Sequence, residues 1–198
     1  MNYLRDFQFM AQTSIAPDVS VLTATWNRGA YLRAAVASLQ AQTDPNWEHL
    51  VCDDGSDDGP SVATLSEIAR DPRVSVHVTP QSGDQPARRW NDLMDRGRGK
   101  YVTFLDDDNL KDSCFIERMR AVLDADDSID MVTCGWRSVD EHGSTDVHIN
   151  LLTDREIHQR NTIDTASTLI RRDALERIGY FPLTIRTNED WALMRRAA

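Results

Sequence analysis

Short apolar runs in this chain take turns with stretches whose apolar residues recur every three or four positions, a rhythm that few folds accept. "DVSVLTAT" reads as a strand. "GAYLRAAVASLQAQ" follows it with Leu32, Ala35, Val36 and Leu39 at helical spacing, completing one strand–helix unit. "WEHLVC" is a second strand. After the turn-rich "DDGSDDGP" a helix is expected from Pro60, whose fixed φ and missing N–H suit the first helical position. "VSVHV", a helix over about residues 85–97, and "YVTFL" repeat the scheme. "DSCFIERMRAVLDA" predicts a helix with Phe115, Met119, Val122 and Leu123 on one face, and "IDMVTCGW" predicts a further strand. "SVDEHGSTDVHI" reads as a hairpin turning at His142 and Gly143. Such alternation specifies an α/β fold with a mainly parallel sheet covered by helices on both faces. Ligands of these sheets bind beyond the carboxyl ends of the strands.

Two acidic clusters, "VCDDGSDD" and "FLDDDNL", each follow an apolar strand directly, so both are expected at one edge of the sheet, sharing a crevice. If residues 106–108 stay extended, the two-residue period sends Asp106 and Asp108 one way and Asp107 the other. Two carboxylates on one side suit Mg²⁺ or Mn²⁺, which takes one or two protein carboxylates and completes its shell with water and phosphate oxygens. An acidic loop that caps the next helix would satisfy either cluster alone; two clusters at one edge favour a site.

Charge bears on the ligand. With 22 Lys plus Arg against 32 Asp plus Glu, the net charge of −10 disfavours a non-specific grip on nucleic acid or an anionic membrane, so a phosphate ligand is expected to arrive with a cation. Cys52, Cys114 and Cys134 form no CxxC, and the five histidines fall at no zinc spacing; the thiols are expected to be free and buried in a reducing cytosol. No apolar run resembles a signal peptide or a membrane span, and a cytoplasmic location is expected, with peripheral contact at the inner membrane face allowed. At 198 residues and 40% hydrophobic content, without repeats or linkers, one domain is expected, burying roughly 70% of its unfolded surface.

The segments "VSVLTATWNRGAYLRAAVASLQAQT", "WEHLVCDDGSDDG", "GKYVTFLDDDNL", "STLIRRDALERIGYF" and "NEDWALMRR", in this order from Val19 to Arg196, resemble the family 2 glycosyltransferases of the GT-A fold. The resemblance implies a single GT-A domain. It divides the chain into an N-terminal extension (1–17), a Rossmann-like nucleotide-sugar-binding half (18–110) and an acceptor and catalytic half (111–198). It also implies a nucleotide-diphosphate sugar donor, Mn²⁺ or Mg²⁺ as cofactor, and hexosyltransferase-like transfer with inversion to a hydroxyl of a glycan or lipid-linked glycan. Cell-surface polysaccharide or glycoconjugate synthesis is the usual setting.

Carried over by residue, the resemblance places Thr23, Thr25 and Asn27 near the nucleotide, although Asn27 also reads as plain loop chemistry. Asp54 corresponds to the acceptor of a base N–H, a role an ionised carboxylate fills because it only accepts, and Asp53 orients the loop. Asp57 and Asp58 read as solvated turn residues. In the DxD-like "FLDDDNL", Asp108 is the expected direct metal ligand, Asp106 a second ligand or a contact to the ribose or a metal-bound water, and Asp107 an alternate for either. Arg88 and Arg89 are expected to hold a phosphate or pair with Asp107, or to lie on a solvated helix face. In "NEDWALMRR" the general base is Asp190, with Glu189 as the alternate, and burial beside Trp191 would raise its pKa toward the useful range. An acidic first helical turn has the same local pattern. Asp164 is expected to contact an acceptor or sugar hydroxyl. Trp191 is the tryptophan favoured for stacking on sugar, ahead of Trp26 and Trp136, while Trp47 and Trp90 read as core.

Departures from the family pattern limit the reading. "GYFPLT" stands where relatives often carry "GGFDE", the QxxRW signature of processive synthases is missing, and the sequence stops seven residues after Trp191. A single-addition enzyme, or a fragment whose acceptor side is incomplete, is the expectation. Competing classes are a non-catalytic sugar-nucleotide binder of the same fold, a receiver-type phosphoacceptor domain and a DxD phosphohydrolase. The last two need their acids after the first strand, where this chain has "TATWN".

Overall fold

Strands β1 (Val19–Thr25) and β2 (Trp47–Asp53) are buried almost throughout, as central strands of a sheet with helices on both faces must be. With β3 (Val74–Val78) and β4 (Tyr101–Phe104) they form the parallel part of a six-stranded sheet. The computed structural model describes residues 16–81, 86–140, 142–143, 145–149, 154–159, 161, 163–184 and 188–197. Completing the sheet are β5 (Met131–Thr133) and β8 (Thr168–Arg171), giving the order β3-β2-β1-β4-β8-β5. β8 runs antiparallel to both of its neighbours.

That reversal matters for the site. Because Tyr101 pairs with Arg171 and Val102 with Ile170, the amino end of β8 lies beyond the carboxyl end of β4. The 3₁₀ turn Thr165–Ser167, just ahead of β8, therefore reaches the edge where the acids of residues 106–108 emerge.

The segment read as one strand from "IDMVTCGW" is two. β5 ends where the Cys134 N–H makes its bond to Ser167 O at 3.0 Å. At Gly135 the chain passes so close to His148 O that a Cβ would stand 2.8 Å from it. Beyond that point β6 (Trp136–Val139) pairs antiparallel with β7 (Thr145–His148) as a separate hairpin, Val139 opposite Thr145 and Gly143 in the turn at φ 79°.

Helix α1 (Gly29–Gln40) buries Leu32, Ala35, Val36 and Leu39 as its spacing requires. Helix α2 (Gly59–Ile68) starts one residue before Pro60 because Asp58 caps it, its carboxylate accepting from Ser61 N at 2.8 Å. Asp58 is thus a helix cap rather than a solvated turn residue. α3 (Pro86–Met94) is shorter than its sequence suggests. α4 (Phe115–Ala125) buries Ile116 with Phe115, Met119 and Leu123, while Val122, at the margin of that stripe, is 43% exposed. Three further helices follow: α5 (Asp154–Gln159), α6 (Arg172–Ile178) and α7 (Glu189–Ala197).

Two apolar layers hold the helices to the sheet. One joins Leu32, Val36 and Leu39 to Phe115, Ile116 and Leu123 across Val19, Val21 and Val51. The other packs Trp90, Leu93, Leu175 and Leu193 on Leu22, Val102 and Phe104, with the rings of Trp90, Phe104 and Phe181 centred 4.9 to 5.6 Å apart. Trp47 and Trp90 are buried, matching their core reading. Cys52 alone of the three thiols is buried; Cys134 is exposed and Cys114 half-buried, which corrects the expectation for those two.

Candidate active site

The loops after β1, β2 and β4 leave the sheet at one edge and surround a crevice of about 530 Å³. Thr25, Asp54, Asp106, Asp107 and Asp108 line it. The two acidic clusters therefore share one crevice, as their positions after adjacent parallel strands require.

Residues 106–109 do not continue the strand. Asn109 N donates to Asp106 O at 3.0 Å and its Nδ2 donates to Asp106 Oδ2 at 3.2 Å, closing a turn, so the expected two-way alternation of carboxylates is replaced by three facing the crevice. Asp107 is the most buried of them, accepting from Thr25 Oγ1 at 2.7 Å and pairing with Arg28 Nη1 at 3.2 Å. Asp108 accepts from Arg28 Nη2 at 2.6 Å and remains 43% exposed. Burial, and then the carboxylates of Asp164, Asp108 and Asp107, push the Asp106 carboxyl up to about 6.

Beneath this turn lies Lys111, buried, with Nζ donating to Thr103 Oγ1 at 3.1 Å and to Ala166 O. Burial drives its pKa down to about 7, against the opposing pull of Cys134, Asp164 and Asp106. Asp164 caps the 3₁₀ turn by accepting from Ala166 N at 2.8 Å. One lysine thus ties the strand that carries the three acids to the turn that carries Asp164.

On the opposite wall, Asp54 Oδ1 accepts from Arg89 Nη2 at 2.5 Å and Nε at 3.0 Å. Arg89, not Arg88, faces the crevice; Arg88 lies on the exposed side of α3. The cation paired with Asp107 is Arg28 rather than either of these. Asp53 is buried and accepts from Ser56 N at 2.9 Å and Ser56 Oγ at 2.5 Å, an arrangement that shapes the loop; burial raises its pKa while those bonds lower it.

Two residues expected at the nucleotide have other work. Thr23 is fully buried under the crevice floor, its hydroxyl donating to Leu105 O at 2.6 Å. Its single proton being used there, it accepts from His49 Nε2 at 2.8 Å, which fixes the His49 tautomer. Asn27, at φ 52°, ties two loops together: its N donates to Ser56 Oγ at 2.8 Å, its Nδ2 to Asp57 Oδ1 at 2.9 Å, and its Oδ1 accepts from Asp57 N at 3.0 Å.

Asp190 and Glu189 open α7 and lie outside the crevice lining. Asp190 Oδ2 accepts from Asn161 Nδ2 at 3.0 Å. Trp191 spends its indole N–H on Ile157 O at 2.6 Å and carries Arg195 over its ring at 5.3 Å, so it fastens α7 to α5 instead of facing the crevice. Trp26, 49% exposed, is the tryptophan at the rim.

Comparison with known proteins agrees with this architecture. The family model described as "Glycosyl transferase family 2" matches residues 20–185. The chain belongs to this family. A family relative, the GalNAc(5)-diNAcBac-PP-undecaprenol beta-1,3-glucosyltransferase of Campylobacter jejuni, is 32% identical over 93 residues, 47% of this chain and 30% of its own. Among solved structures, S. aureus TarS 1-349 in complex with UDP superposes with a TM-score of 0.74 at 21% identity, covering 91% of this chain and 54% of that one. The mannosyltransferase PcManGT from Pyrobaculum calidifontis, in complex with GDP-Man and Mn²⁺, gives 0.65 at 18%, covering 90% and 52%. The chain spans no more than about half the length of these three proteins.

Whether the family 2 crevice suits a divalent cation is a question of its donor set. Among the described residues no three acidic, histidine or cysteine side chains converge as a self-sufficient metal site. Asp106 and Asp108 nevertheless supply hard oxygens beside open space that phosphate and water oxygens can fill, the usual arrangement for Mg²⁺ and Mn²⁺. Burial first, and then the carboxylates of Asp164, Asp108 and Asp107, raise the proton affinity of Asp106, a cost that a cation beside it would offset. The residues fit such an ion. Arg28, which lines the crevice, and Lys111, which is buried beneath it, are the residues that sequence reasoning passed over. Arg28 had a signal, a lone cation directly beyond the first strand in "TATWNR"; Lys111 had none, because burial decides its role.

Proposed function

We propose that this family 2 member is a metal-dependent, inverting glycosyltransferase that moves a sugar from a nucleoside-diphosphate sugar to a hydroxyl of a glycan or lipid-linked glycan in cell-surface polymer or glycoconjugate assembly. The observation that carries the proposal is the convergence of Asp54 with Asp106, Asp107 and Asp108 around one crevice at the carboxyl edge of the parallel strands. UDP in the TarS complex, GDP-Man and Mn²⁺ in the PcManGT complex, and the lipid-linked glycan in the name of the Campylobacter relative support the substrate classes.

In this reading Asp54, held by Arg89, accepts a base N–H of the nucleotide, and Thr25 fixes Asp107 so that the turn presents its neighbours to the donor. Asp108 and Asp106 would hold the cation, whose contribution is to neutralise the diphosphate as it leaves. Asp190, oriented by Asn161, takes the proton of the acceptor hydroxyl as that oxygen attacks the anomeric carbon opposite the leaving group. The position of Asp190 outside the crevice lining favours one second reading, a sugar-nucleotide binder without transfer activity.

The deciding experiment is a thermal-unfolding panel with UDP, GDP, dTDP and CDP, each with and without Mn²⁺. A Mn²⁺-dependent rise in Tm with one nucleotide, abolished in Asp108→Ala, is expected, since a ligand of the folded state stabilises it by mass action. A rise indifferent to EDTA and to Asp108→Ala would remove the metal. Donor binding without hydrolysis or transfer would favour the binder.

A further inference from the structure

Resting on the metal reading above, we infer that Arg28 is a donor-binding residue whose resting partner is Asp108, so that cation binding and release of this arginine toward the donor's diphosphate are coupled. The guanidinium lies across two of the three acids, Nη1 at 3.2 Å from Asp107 Oδ1 and Nη2 at 2.6 Å from Asp108 Oδ2. It is 43% exposed and lines the crevice, with its Cζ 5.0 Å from the centre of the Tyr31 ring.

Only the side chain is free to move. On one side Asn27 is bonded into the loop after β2. On the other, Gly29 packs so closely that a Cβ would stand 2.7 Å from Ser61 Cα, and Arg28 O already accepts from Leu32 N at 3.0 Å in α1. The backbone of Arg28 is therefore clamped while its guanidinium sits at the mouth of the site.

A divalent ion on Asp108 would share a carboxylate with Arg28 and repel it at short range. Asp107 remains as a weaker anchor, because its Oδ2 already serves Thr25. The anion that enters with the cation is the diphosphate, and the planar fork of an arginine matches phosphate oxygens in two-point contact. Arg89 is a poorer candidate for this task, being buried and doubly bonded to Asp54. Arg28 thus neutralises Asp108 in this structure and would join the donor contacts once a cation takes its place there.

Mn²⁺ titrations followed by the EPR signal of the free ion, on wild type, Arg28→Met, Arg28→Lys and Asp108→Ala, test the inference. Without nucleotide, Arg28→Met should bind Mn²⁺ at least about fivefold more tightly than wild type, the lower end of typical site-to-site coupling. With Mn²⁺ saturating, the same variant should bind the preferred diphosphate of UDP, GDP, dTDP and CDP about tenfold more weakly, having lost a charge-assisted contact. Arg28→Lys should fall between wild type and Met in both. Mn²⁺ and diphosphate affinities unchanged in Arg28→Met, with Asp108→Ala deficient in Mn²⁺, would overturn the exchange and leave the metal reading standing. Mn²⁺ binding absent from wild type, or unaffected by Asp108→Ala, would overturn the metal reading and the exchange with it. Unfolding temperatures of the four proteins separate both results from a folding defect.

Discussion

His49 shows how one buried side chain contributes to the response of the protein to acid. Its Nε2–H is committed to Thr23, its Nδ1 has no hydrogen-bond partner in the sheet, and burial lowers its pKa to about 3. In the unfolded chain the imidazole titrates near 6.5. Its contribution to stability is therefore complete above that value and drains away as pH falls from 6.5 toward 3, at about 1.4 kcal/mol per pH unit once the unfolded state is protonated. Urea denaturation at pH 7, 6 and 5 should show this slope in wild type. His49→Gln, which keeps a donor for Thr23 and cannot titrate, should show a shallower slope than wild type. At the same scale, Asp190→Asn should lower kcat by about 10² to 10⁴ while leaving the Kd for the donor nucleotide unchanged, and near-normal turnover would excuse Asp190 from the chemistry. Individual residues were the hardest part to read from sequence. Asp54 and the acids at 106–108 are visible because they follow apolar strands, whereas Thr23, Asn27 and Trp191 carry the right side chains for a site yet spend them on Leu105, Ser56 and Ile157. Which partner a hydroxyl or amide finds is decided by residues far away in the chain.

At the scale of elements, local chemistry was a better guide. Apolar spacing located α1 and α4, although the margin of the α4 stripe misplaced Val122. Asp58 followed two residues later by Pro60 marks the start of α2, since the acid satisfies Ser61 N and the proline has no N–H to satisfy. Removing the cap in Asp58→Ala should lower the urea midpoint with an unchanged m-value. Gly29→Ala should cost more than the cap, because its Cβ meets the backbone of Pro60 and Ser61 rather than a side chain that can swing aside. A loss in that variant no larger than in Asp58→Ala would mean that α1 and α2 can slide apart. The split of "IDMVTCGW" into β5 and β6 had no such local marker. It follows from Gly135 lying against His148, a contact between segments that sequence reading does not pair.

For the molecule as a whole, alternation indicated the parallel strands and their ligand-binding edge, but not the reversal of β8. Nothing in "STLIRR" declares its direction; the direction is enforced from both sides by two arginines. Arg171 donates to Leu123 O at 2.5 Å and Ile129 O at 2.8 Å, and Arg172 to Gly99 O at 2.6 Å and Met94 O at 2.8 Å. Since these bonds and the sheet itself join residues before and after 110, the chain should unfold in a single transition, with fluorescence and circular dichroism midpoints coinciding. Two separated transitions would mean that the halves are independent. The place of β8 also has a consequence during synthesis. Thr168 follows Phe104 by 64 residues, so at ribosomal rates of about 5–20 residues per second β4 waits roughly 3 to 13 s for the strand that covers its edge. Throughout that interval the nascent chain offers an apolar, unpaired border to whatever else is being translated nearby, which makes β4 a segment open to misassembly and a natural place for a chaperone to stand guard.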